Sequence, residues 1–165
     1  MLEIQTLTPD DWPSWRELRL AALAEAPQQF GAKLADWQGE GDQPKRWRAR
    51  LEIPGSLNLI ALHDGVPAGM VSGVPGSAEG IVELISMWVS PAARGTGAGN
   101  RLIAELIGWA TATGAEELRL EVRQDNAPAI GLYERNGFAR TGQTDGIAGN
   151  GMPDLVMTRP LTPQG

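Results

Sequence analysis

Six consecutive residues, Arg94-Gly95-Thr96-Gly97-Ala98-Gly99, have the composition of an anion-binding turn. They follow an apolar run, Ile81 to Val89, interrupted only by Glu83 and Ser86 and ended by Ser90-Pro91. Behind them Leu102, Ile103, Leu106, Ile107 and Ala110 recur at helical spacing, and Gly114 stands where a C′ glycine would close the helix. The pattern reads as a buried strand, a glycine-rich turn and a helix N-terminus near Gly97. Glycines let backbone come close to a ligand, and the first helical N–H groups lack partners within the helix. The helix dipole favours negative charge there, and Arg94 adds a cation at the rim. A phosphate or pyrophosphate is the natural guest. The plainer alternative is a tight connection whose glycines serve only the turn. Three glycines at alternate positions beside an arginine argue against it.

Two further residues suit proton transfer. Glu83 is expected to share a strand face with Ile81, Ile85, Met87 and Val89, and so to be partly buried. Burial raises a carboxyl pKa and makes a general base. An ion pair with an arginine of a neighbouring strand is the alternative, and Glu121 on the adjacent strand is a second candidate. Tyr133, the only tyrosine, is either a core residue at helical spacing from Ile130 or a proton donor.

Several chemistries are disfavoured. No lysine follows the glycines as a P-loop requires. A dinucleotide fingerprint would need a small residue where Leu102 or Asn100 stands. Without cysteine there is no disulfide, thiolate nucleophile or thiolate metal site. The single histidine, His63, falls in a His-Asp-Gly turn and makes no multi-histidine centre, so no metal is expected.

The elements that position these residues follow from pattern and punctuation. Leu2 to Leu7 alternates as a strand; Thr8-Pro9-Asp10-Asp11 starts a helix running to about Ala26, where Pro27 ends it. Residues 28–42 are irregular, and a second helix spans Pro44 to Leu51. Strands Leu57–Leu62 and Val66–Val74 flank Asp64-Gly65, a type I′ hairpin signal, and lead into Ile81–Val89. After the glycine-turn helix, Glu117 to Arg123 alternates, and the intervening helix makes it a parallel neighbour of Ile81–Val89. A helix from Asn126 to Gly137 and strands at Phe138–Gln143 and Leu155–Arg159 complete one α+β domain, a sandwich around a mixed sheet.

Arg94 to Gly99 resembles the acetyl-CoA loop of the GCN5-related N-acetyltransferase (GNAT) superfamily, written [QR]-x-x-G-x-[GA]. Asn126, Ile130, Tyr133, Glu134, Asn136, Gly137 and Phe138 resemble that family's later motif. The element order matches along nearly the whole chain. The resemblance implies a three-layer α/β/α sandwich around a mixed, mostly antiparallel sheet with one splayed parallel pair. It implies acetyl-CoA as co-substrate and direct transfer of its acetyl group to a primary amine. It places the pantetheine arm at Met87, Trp88 and Val89, and the pyrophosphate at Arg94, Gly95, Thr96, Gly97, Ala98 and Gly99. Asn126 and Tyr133 join the cofactor site, with Tyr133 as general acid for the thiolate and Glu83 as base. A longer acyl-CoA or a non-catalytic acyl-CoA-binding module are the alternatives.

The acceptor site that the family implies is built from the loops at 27–42 and 145–154. Phe30, Trp37 and Trp47 could line an apolar pocket with Glu83 nearby, and Asp36, Asp42, Asp145 and Asp154 could attract a cationic amine. Each is also compatible with ordinary packing or a solvated loop, which is the better reading residue by residue. The formal charge of −6 argues against nucleic acid and anionic membranes and suits a cationic or neutral small-molecule amine. With 165 residues, 42% hydrophobic and 21% charged, the chain is an ordinary globular domain large enough for a core. No signal peptide or spanning segment is read, so a cytoplasmic protein is expected. A homodimer formed through the two variable ends is compatible with the pattern.

Overall fold

A computed structural model describes residues 1–27, 33–145 and 153–162. Seven strands form among these residues: β1 (Leu2–Thr6), β2 (Leu57–His63), β3 (Val66–Pro75), β4 (Ile81–Val89), β5 (Glu117–Val122), β6 (Ala139–Asp145) and β7 (Asp154–Pro160). The described α-helices are α1 (Trp12–Glu25), α2 (Pro44–Leu51), α3 (Ala98–Ala112) and α4 (Ala127–Arg135). The strands make one open sheet in the order β1-β2-β3-β4-β5-β7-β6. Every neighbouring pair is antiparallel except β4 and β5. That pair is parallel because α3 carries the chain back to the same end of the sheet before β5 begins.

Local signals act as expected at most junctions. Asp64 (φ 52°) and Gly65 (φ 82°) both take the left-handed region that a type I′ turn requires, which pairs His63 with Val66. Thr8 N–H donates to the Asp11 carboxylate at 2.7 Å, yet the helix does not begin there. Pro9–Asp11 is a 3₁₀ turn, and α1 starts at Trp12. Pro13 has no N–H to return to Pro9, so the first turn cannot continue as one α-helix.

The helices cover both faces, completing three layers. Leu102, Ile103 and Leu106 of α3 and Ile130 and Tyr133 of α4 pack on Leu59, Val71, Leu84, Leu118 and Leu120. Trp15 and Leu18 of α1 and Trp47 and Leu51 of α2 pack on Ile60, Met70 and Trp88. No helix among the described residues is long and apolar enough to cross a membrane.

β4 contains a bulge that its sequence conceals. Met70 pairs with Trp88 but Ser72 with Ile85, one residue extra on β4, and Ser86 adopts φ +57°. A bulge reverses the side-chain alternation beyond it. Val82 and Leu84 face α3, and so do Met87 and Val89. Trp88 joins the α1/α2 core and Ser86 bonds to Arg50 of α2. By alternation Glu83 belongs to this second face. The expectation that Glu83 shares a face with Met87 and Val89 is therefore corrected.

Candidate active site

The parallel ladder between β4 and β5 is short. It pairs Ile81 with Glu117, Val82 with Leu118 and Glu83 with Arg119, and then stops. Beyond that rung β4 follows β3 as far as Val89, while β5 follows β7 as far as Val122. The strands diverge, and one backbone edge of each loses its ladder partner. A cavity of about 1170 Å³ opens in the gap. Met87, Trp88, Val89, the whole run from Arg94 to Gly99, Asn126 and Tyr133 all border it.

The three glycines of the turn do different jobs. Gly95 (φ +84°) and Gly97 (φ +92°) hold backbone conformations that side chains disfavour, and Gly97 is the N-cap of α3. Gly99 instead makes room for α4: a Cβ there would lie 3.1 Å from the Leu132 side chain. Arg101 N–H returns to Gly97 at 3.0 Å, so the N–H groups ahead of it in the first turn have no partner within the helix. Thr96 differs from its neighbours. Its N–H and its hydroxyl both donate to the Ala93 carbonyl, at 3.2 and 2.5 Å, and neither is directed at the cavity. The Thr96 N–H is thus already used within the turn, unlike the N–H groups of the first turn of α3.

Arg94 is itself held. Its Nε donates to the Val89 carbonyl at 3.1 Å and its Nη2 to Glu25 at 2.8 Å. Trp88 Nε1 donates to the other Glu25 oxygen at 3.1 Å, and these bonds, led by that from Trp88, hold the Glu25 carboxyl below its usual value. Glu25 borders the cavity, although its place at the end of α1 carries no sequence signal. Arg123, at the end of the stretch expected to splay from β4, also borders it, as does Arg135, which was not anticipated. Asn126 caps α4 by accepting from Ala129 N–H at 3.3 Å. Tyr133 is 6% exposed, packs edge-on against Phe138 at 5.8 Å between centroids, and has its phenol pKa raised by burial.

The acidic candidates form a chain across the last paired rung. Arg119 Nη1 donates to both Glu83 oxygens at 3.1 and 3.2 Å and lies 3.6 Å from Glu121. Glu121 borders the cavity, whereas Glu83 sits below it and does not. Among the described residues no group of three or more His, Cys, Asp or Glu is placed to hold a metal ion.

A family model, the acetyltransferase (GNAT) family, matches residues 10–138. The chain belongs to the GNAT family. Its 28% identity to the mycothiol acetyltransferase of Renibacterium salmoninarum extends over 84% of this chain and 41% of that protein. It is 34% identical to YhfO of Bacillus subtilis, described as an uncharacterized N-acetyltransferase, over 72% of this chain and 80% of that one. The chain thus spans about two fifths of the length of the mycothiol acetyltransferases it matches. A similar fold occurs in the paia N-acetyltransferase of Thermoplasma acidophilum, solved with coenzyme A. The TM-score is 0.74 at 20% identity, over 97% of this chain and 99% of that one.

On the α1/α2 side of this GNAT domain the expected acceptor residues are placed unevenly. Phe30 lies outside the described residues. Trp37 is half-buried against Trp47 (centroids 4.5 Å apart) with the Arg46 guanidinium 3.6 Å above its ring, and it does not border the cavity. Trp47 is fully buried and is a core residue rather than a pocket wall. Asp42 is engaged by Arg16 at 2.8 and 2.5 Å and by Trp47 Nε1 at 2.8 Å. The Arg16 bond and then the Trp47 bond pull its pKa down to about 2. Its carboxylate ties α1 to α2 instead of waiting for a cationic amine.

Proposed function

We propose that this GNAT protein transfers the acetyl group of acetyl-CoA to a primary amine of a small molecule, with no covalent enzyme intermediate. The divergence of β4 from β5 beyond the Glu83–Arg119 rung carries this reading. It supplies an extended backbone edge for an amide-containing arm and ends at a glycine turn suited to a pyrophosphate. Coenzyme A in the Thermoplasma acidophilum structure and the small-molecule names of the mycothiol acetyltransferases support the same assignment.

When bound, acetyl-CoA supplies an activated thioester. The residues here have three tasks. Backbone N–H groups at the free edge of β4 bind the arm and face the oxygen on which charge develops. The first turn of α3, with Arg94, neutralises the pyrophosphate. Tyr133, protonated at neutral pH as any phenol is, gives its proton to the departing sulfur as the C–S bond breaks and the C–N bond forms, and solvent returns a proton to the phenolate afterwards. The amine's surplus proton passes through water to Glu121, the carboxylate that borders the cavity. Glu83 holds Arg119 behind it.

Release of free CoA from acetyl-CoA across a panel of amines tests the proposal, read with a thiol reagent. The protein contains no cysteine and adds no thiol signal of its own. Amine-dependent release with an N-acetylated product is the expected result. Tight acetyl-CoA binding with no product from any amine would favour a binding module.

A further inference from the structure

Arg50, near the end of α2, turns its guanidinium onto the sheet. Nη1 donates to Asn58 Oδ1 at 3.1 Å, and Nη2 to the hydroxyls of Ser72 and Ser86, each at 3.1 Å. The group also lies 5.0 Å from the centre of the Trp15 ring. Asn58 and Ser72 are buried and bonded to each other at 2.6 Å. Three polar side chains on three adjacent strands thus fix one guanidinium, on a face otherwise built of Ile60, Met70 and Trp88.

Every one of those partners is neutral. Three other partly buried arginines have carboxylates (Arg16 has Asp42, Arg119 has Glu83 and Arg123 has Asp125), whereas Arg159 bonds to backbone carbonyls. Among the described residues no carboxylate pairs with Arg50. A cation withdrawn from water without an anion is costly. Loss of water around it and then the like charge of Arg19 of α1 bring the Arg50 pKa down to about 10. Guanidinium has five donors, and the three bonds above leave two for a further acceptor.

The location links this charge to the active site. Ser86 borders the cavity, and its left-handed backbone at the bulge turns its hydroxyl to Arg50. Arg50 does not itself line the cavity; the Ser86 hydroxyl that it holds does, and so marks the shortest way from the gap to the guanidinium. We propose that Arg50, with Arg19 beside it, is the anion pocket of the acceptor site and takes a carboxylate carried by the amine substrate. The acceptor is then amino-acid-like, its amine towards the gap and its carboxylate at Arg50. This rests on the acetyltransfer reading, and it replaces the cationic or neutral acceptor that net charge alone suggested.

The test pairs each L-amino acid with its carboxamide as acceptor, for wild type and for Arg50→Met. The substitution keeps the volume and removes a buried charge, so folding is expected to persist, checked by thermal unfolding. The wild type should prefer the carboxylate form by about tenfold or more in kcat/KM, the scale of a charge-assisted bond to a buried group. The variant should lose that preference through an acceptor KM raised more for the carboxylate form than for the carboxamide, while its KM for acetyl-CoA stays within a few-fold. A second arm needs no turnover: N-acetylated amino acids should raise the melting temperature of wild type more than their carboxamides do, and the difference should vanish in the variant. Carboxamides used as well as or better than amino acids would overturn the anion pocket and leave acetyltransfer standing. No transfer to any amine, with the melting shift intact, would retain the pocket and overturn acetyltransfer. Absence of both would overturn both.

Discussion

Tyr133 borders the cavity and is protonated at neutral pH, which proton donation requires, while burial disfavours the phenolate that donation leaves behind. Tyr133→Phe is expected to lower kcat by about 10²-fold while leaving the KM for acetyl-CoA within a few-fold, the mark of a lost general acid. Steady-state kinetics decide this. The two carboxylates flanking Arg119 should separate in the same way. In Glu121→Gln the acidic limb of the pH–rate profile should flatten, because no base remains to be deprotonated. In Glu83→Gln the limb should persist, with a modest fall in rate from a loosened Arg119. A wild-type profile in Glu121→Gln would remove that residue from proton transfer. The place of Tyr133 at the cavity was readable in the sequence, because its motif spacing is local. The choice between Glu83 and Glu121 was not. It depends on where a ladder ends and which way a strand turns, and neither is written in residue types.

The elements themselves were largely readable. The alternation of β5, the Asp64-Gly65 turn, Gly114 and Gly137 are short-range signals, and the structure honours each of them. The bulge in β4 escaped because Ile85-Ser86-Met87 continues an apolar run in either register. Only pairing with β3 reveals the extra residue. Asp42 and Trp47 were open to two readings, pocket or packing, and packing, the better bet from sequence, is what the structure shows. A carboxylate and an indole in a polar segment look available until tertiary contacts show them spent on Arg16 and on the core. Two predictions belong here. Gly97→Ala puts a Cβ on a left-handed N-cap, so it should cost about 1–2 kcal/mol of stability. It should also raise the KM for acetyl-CoA, measured by denaturant unfolding and kinetics together. The Asp42 clasp should contribute stability fully at neutral pH and lose it on acidification. Its folded pKa lies below the unfolded value, so the contribution fades as pH falls from the ordinary carboxyl range through about 2. The melting-temperature deficit of Asp42→Asn should accordingly be larger at pH 7 than at pH 2.

As a whole the molecule is a sheet that is continuous at one end and parted at the other. Each half of the sheet keeps its own hydrogen-bonded neighbours across the gap. A ligand lying between β4 and β5 would supply part of the missing ladder and join α3, α4 and the α1/α2 layer through Arg94 and Glu25. Acetyl-CoA at a hundred times its Kd should add about 2.7 kcal/mol of stability. Amide exchange should slow along residues 84–89, and an equal slowing over β1 and β2 would argue for a different binding place. The placement of Tyr133 has a further use. Because it is the only tyrosine in 165 residues, any signal that distinguishes tyrosine from every other side chain comes from the wall of this cavity. Protein grown with fluorotyrosine would give a single fluorine resonance. The molecule thus carries its own spectroscopic label beside the proposed site of acetyl transfer, and occupancy could be followed without attaching anything to it.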